Sequence, residues 1–155
     1  MSPTGGAERP SRGGRTRARE VVFRSVFEVD LTGDDLLETL ELSLGRFRFT
    51  QDGRAFALRL AAGAVEHRAR VDALLEELLR NWSIDRVSTV VRAILRVALA
   101  EMLSIAETPA RVILDEAVRL ANRYGEEEAG SFANGVLDAA ARRLRPGELP
   151  PPAGA

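Results

Sequence analysis

Three arginines within five positions, Arg15, Arg17 and Arg19 in RTRARE (15–20), have a type and spacing suited to binding anions. A guanidinium presents a planar fork of donors that fits phosphate, and the same plane stacks on bases. The three fall where a helix is expected to begin. The partial positive charge of a helix N-terminus makes each exposed cation there unfavourable by roughly 0.3–1 kcal/mol. They are therefore not placed for helix stability; with the free amides of the first turn they make a site for anions. A basic arm that orders on nucleic acid is a known mode, usually with RNA. Solubilising charge in a tail is the competing reading, and spacing alone leaves both open.

Charge distribution sharpens the contrast. Residues 1–19 carry five arginines against one glutamate, a net charge of +4, and the other 136 residues sum to −5, giving −1 overall. A basic arm on an acidic body points to a separate partner for the arm. All 22 basic residues are arginine.

The rest of the chain offers little for catalysis. It has no cysteine, which excludes disulfides, thiolate metal sites and cysteine nucleophiles and fits a reducing compartment. Its one histidine, His67, sits in a helical VEHRAR context without metal-ligand spacing. Glu76 and Glu77 are adjacent on a helix and point in different directions, and Glu126–Glu128 read as a solvated run. Neither a GxxxxGK[ST] loop nor a strand-borne GxGxxG occurs. We expect no enzyme activity, metal or cofactor. No apolar run follows the N-terminal charges and none approaches membrane-spanning length, so neither a secretory signal nor a membrane anchor is expected.

The elements that must position the arginines are all helical, with hydrophobic residues recurring at helical spacing from Val22 to the last leucines. The pattern predicts helices over 17–31 (Val22, Val26, Phe27) and 34–45 (Leu36, Leu37, Leu40, Leu44), with Asp34 or Asp35 as cap. A long helical stretch over 54–80 is expected to break near residues 68–70. After a cap at Ser83 comes a helix apolar around most of its circumference, from Val87 to Ile105, the candidate centre of the bundle. Thr108 and Pro109 open the next helix and Gly125 closes it; Ser131 caps the last, which Pro146 stops. Residues 1–14 and 146–155 are rich in Gly, Pro and small residues and read as mobile tails. The expected fold is all-α, one domain of six to seven helices over 15–145.

Three segments together carry a resemblance: RAILRVALAEML, TPARVILDEAVRLANRYG and SFANGVLD. With the opening RTRAREVVFRSVF they resemble the NusB family over about residues 15–145, most weakly over 32–80. The resemblance implies an all-helical, non-enzymatic RNA-binding factor of bacterial transcription, acting in the cytoplasm. Such a factor pairs with the NusE ribosomal protein, binds boxA-type RNA of ribosomal RNA transcripts, and helps load an antitermination complex on RNA polymerase. Carried over, Arg15, Arg17, Arg19 and Phe132 would contact RNA, and Phe27, Glu28, Asp85 and Arg92 would contact the partner. From the residues alone, Phe132 serves equally well as a helix-entry contact and Phe27 as core. The chain departs from the family pattern at Ser131, where many members have Lys or Arg. It departs also at Val91, often acidic, and at Ala100, often Tyr. The alternative is a helical homodimer or scaffold without sequence-specific RNA binding.

Overall fold

The computed structural model describes residues 12–80, 82 and 87–152. Among them lie seven helices: α1 (Arg12–Thr32), α2 (Leu36–Arg46), α3 (Gln51–Glu66), α4 (Arg68–Leu78), α5 (Thr89–Ser104), α6 (Ala110–Tyr124) and α7 (Ala129–Leu144). α5 is the centre: it packs on α1, α3, α4, α6 and α7, and ten of its residues are buried. Its nearly continuous apolar surface is what a helix enclosed on all sides requires. α6 and α7 pack on each other, and α1 lies across α3 and α5. None of the described helices is long and apolar enough to cross a membrane.

Side-chain caps account for three of the seven described helix starts. Asp35 accepts from the Glu38 amide, Thr50 from that of Gly53 and Ser88 from that of Val91. The expected break in 54–80 falls at His67, between α3 and α4. Six expectations about the fold need correction. α5 is capped by Ser88; Ser83 lies outside the described residues, as do 1–11 and 153–155. Ser131 sits within the first turn of α7 rather than ahead of it. Leu37 of α2 is exposed while Leu40 and Leu44 carry its core face. Residues 12–14 are helical rather than tail, because the α1 start is held against α3. A Cβ added at Gly53 would lie 2.9 Å from the Gly14 carbonyl oxygen, so the two backbones meet directly.

The last two concern the start of α6 and the C-terminal segment. Thr108 does not cap α6; its buried hydroxyl has no hydrogen-bond partner. The Ala110 amide instead donates to Glu148, 2.9 Å away and 38 residues on. Leu149 is buried beside it, so residues 146–149 are docked rather than a mobile tail.

α3 and α5 approach closely at Gly63, where an added Cβ would overlap Ser104. Gly63→Ala is therefore expected to lower stability by about 1–3 kcal/mol through overpacking. Chemical denaturation checks this, and the double variant Gly63→Ala, Ser104→Gly should recover part of the loss.

Candidate nucleic-acid interface

Arg15, Arg17 and Arg19 share helix α1 but not one environment. Arg19 is 6 % exposed. It donates two hydrogen bonds of 2.8 Å to Glu101 of α5, and Glu116 of α6 lies 3.8 Å away. Glu101 is buried in the core and Glu116 is partly buried; Arg19, itself buried between them, is not placed to reach a phosphate. This corrects its assignment as an RNA contact. Arg15, one turn earlier, is about one-third exposed and forks onto Asp52 at 3.1 and 3.2 Å. Its guanidinium holds the Asp52 carboxyl below the usual range through that hydrogen bond, and is itself raised by it. Arg15 and Arg19 both lie 4.8 Å from the centre of the buried Phe56 ring. Helical spacing brings residues i and i+4 to one face, which is why both meet that ring.

Arg17 lies on a different face. It is exposed, its guanidinium 5.2 Å from the centre of the Phe49 ring. A cation over an aromatic face keeps its hydrogen-bonding edges outward, ready for an anion. Arg17 lines an open groove of about 580 Å³ between α1, the end of α2, residues 47–49 and the start of α5. Phe27 and Glu28 line the same groove, with Arg24, Arg46 and the exposed Phe47. The fold thus brings one predicted RNA residue and two predicted partner residues onto one surface. Phe27 also packs against the core, as its helical spacing allowed, while still lining the groove. Arg92 is partly exposed in the first turn of α5 and does not line the groove; Val90 does. Asp85 lies outside the described residues.

Phe132 stands apart, in the first turn of α7. It is partly buried against the core and meets Trp82, the rings 5.0 Å apart at 73°. Trp82 was not singled out from the sequence; a lone tryptophan between two helices gives no periodic signal. Gly135, one turn on from Phe132, is exposed, and an added Cβ there would meet nothing within 4 Å.

Other motif charges have structural roles that sequence spacing hides. Arg96 joins three helices, donating to Asp30 of α1 at 2.7 Å and Asp72 of α4 at 3.0 Å. Thr16 donates to Glu116, and Glu20 accepts from Arg123 and Tyr124, stitching α1 to α6. Among the described residues, no group of three or more His, Asp or Glu side chains could hold a metal ion.

The described residues thus form a seven-helix bundle around one buried central helix, with an arginine-bearing first helix edging an aromatic groove. The chain matches the NusB family over residues 16–142 and belongs to it. It is 36 % identical over 124 residues to a transcription antitermination protein NusB of Syntrophomonas wolfei, covering 80 % of this chain and 92 % of that one. A protein of the same name from Sorangium cellulosum is 37 % identical over 132 residues, covering 85 % and 94 %. Among solved structures, T. maritima NusB superposes with a TM-score of 0.76 at 34 % identity, covering 88 % of this chain and 93 % of that one. A structure of the antitermination factors NusB and NusE in complex with double-stranded RNA matches with a TM-score of 0.76 at 29 % identity. It covers 86 % of this chain and 99 % of the matched one.

Proposed function

We propose that this protein is a transcription antitermination factor that binds boxA-type RNA of ribosomal RNA transcripts with a NusE-type ribosomal protein. In this role it helps load an antitermination complex on RNA polymerase. It works in the cytoplasm by binding, with no catalytic step and no cofactor. The observation that carries the reading is that Arg17 lines the same groove as Phe27 and Glu28. In a chain of this family, that geometry lets the arm hold phosphates while the groove seats the protein partner. Arg15, on another face of α1, carries a second, partly neutralised positive charge.

The test is RNA binding followed by fluorescence anisotropy, with a boxA-type strand and a scrambled control, with and without the NusE-type partner. Tighter boxA binding that depends on the partner is expected. Arg15→Ala with Arg17→Ala should weaken binding and make log K less steep in log salt by about 1–1.5, the share of two single-strand phosphate contacts. An unchanged slope would remove the arm from the interface. Equal, partner-independent binding to both strands would favour the scaffold reading.

A further inference from the structure

Where α1 and α3 end and α2 and α4 begin lies a second pocket, of about 230 Å³. It is on the far side of α1 from the groove. Arg17, Arg24 and Phe27 edge the groove, whereas Val26, Val29 and Asp30 line the pocket. At helical pitch the two sets sit roughly 150° apart around α1. The TGDD turn shapes the mouth. Gly33, in the left-handed region at φ +79°, ends α1 and brings Asp34 and Asp35 into the lining.

The pocket has an apolar floor and an acidic rim. Val26 and Val71 are buried in it, Val29 and Leu36 partly so, and Val65 lines it while 52 % exposed. Four aspartates against two arginines give the lining a net charge of −2. Both arginines are already engaged: Arg96 with Asp30 and Asp72, and Arg68 with Asp72 at 3.6 Å. Asp35 caps α2. Asp34 is left over. It is exposed, its backbone amide donates to Thr32, and its carboxylate has no partner among the described residues. The C-termini of α1 and α3 end here too, and each adds partial negative charge. Tying helices together accounts for Arg96, Asp30 and Asp72. It does not account for a free carboxylate beside an open apolar hollow.

This combination selects its occupant. Nucleic acid is repelled. The volume falls below the roughly 300–1,000 Å³ of small-molecule sites. A neutral apolar side chain would cover the floor and leave the rim charge unmatched. Lysine and arginine fit both parts, because they lay an apolar stem along apolar surface and keep a cationic head at the rim.

We propose that this pocket docks a lysine or arginine from a flexible basic segment of a partner protein. The inference goes beyond RNA binding and does not depend on it: the pocket faces away from the groove, so a further protein can be held while the groove is occupied.

The test is a titration of the full, isotope-labelled chain with the peptide Ac-Gly-Arg-Lys-Arg-Gly-NH2, followed by amide chemical shifts in NMR. Saturable shifts centred on Asp34, Val65 and Arg68 are expected. Asp34→Ala should weaken binding about two- to fivefold, the scale of one exposed ion pair. Val65→Lys, which places a tethered cation in the mouth, should abolish it. Both positions are exposed, and far-UV circular dichroism checks that the variants fold. Arg17→Ala should leave peptide affinity unchanged while weakening RNA binding, which separates this pocket from the RNA reading. Shifts centred elsewhere, or no saturable binding, would overturn the proposal. So would equal binding of a peptide with citrulline for arginine and norleucine for lysine, or peptide affinity unchanged by Asp34→Ala and Val65→Lys. Tighter binding of spermidine than of the peptide would assign the pocket to a free polyamine and overturn it as well.

Discussion

Arg19→Ala is expected to lower the free energy of unfolding by about 3–5 kcal/mol, the scale for removing one partner of a buried ion pair. Glu101 is 1 % exposed, and its two carboxylate oxygens each accept a 2.8 Å hydrogen bond from Arg19. Without the guanidinium that charge has neither water nor a counter-ion, and Glu116 nearby adds a second negative group. A domain of ordinary stability has about 5–15 kcal/mol in total, so the variant should be marginal. Urea denaturation of single and double variants measures the effect. Arg19→Met with Glu101→Leu removes both charges and keeps much of the volume, and should recover most of the loss. RNA affinity per folded molecule should change little in the double variant, in contrast to Arg17→Ala. A stable Arg19→Ala protein that has lost RNA binding would return Arg19 to the interface.

That prediction shows where sequence reading reached its limit. Arg15, Arg17 and Arg19 look equivalent along the chain, because alternate spacing over five positions distributes them around the helix without saying what each face meets. Arg19 faces the interior only because Glu101 arrives there from a helix 82 residues later. Periodicity identifies apolar faces, and a buried arginine counts as polar in any such pattern. The same blindness covers Arg96, whose partners Asp30 and Asp72 come from two other helices.

What was legible depended on local signals. The order of helices, the enclosed α5, the break near residue 68 and the Gly125 stop all follow from repeat spacing and terminal residues, and the structure has them. Caps were readable only where the capping side chain lies next to the helix it serves: Asp35 was anticipated, and the α6 cap could not be. Phe132 was noticed through a motif, while Trp82, which completes its surface, lies 50 residues away in a segment without a pattern.

The cap that could not be anticipated is part of a latch, and its removal is the other large effect expected. The Arg145 side chain is only 10 % exposed and donates to the carbonyl oxygens of Met102, Ile105 and Thr108 at 2.9–3.0 Å. These carbonyls end α5 and lead into α6, where helix termini leave acceptors without intrahelical donors. Arg145 also pairs with Glu148 at 2.9 Å, and Glu148 accepts from the first amide of α6. One arginine thereby ties the end of α7 to the α5–α6 turn, and one glutamate carries the tie to the α6 N-terminus, where negative charge is favoured. Arg145→Ala should cost about 2–4 kcal/mol, given three charge-assisted bonds partly replaceable by water. Glu148→Gln should weaken the latch in a pH-dependent way. The Ala110 amide first, and Arg145 next, hold the Glu148 carboxyl below its usual range. A carboxyl lowered in the folded state stabilises above its unfolded pKa, and the contribution is lost as pH falls through the folded one. The stability gap between the parent and Glu148→Gln should therefore be full at neutral pH and shrink below about pH 4. Thermal unfolding across that range measures it. A gap that is constant or widens in acid would mean that the carboxylate charge plays no part in holding α6 to the C-terminal segment.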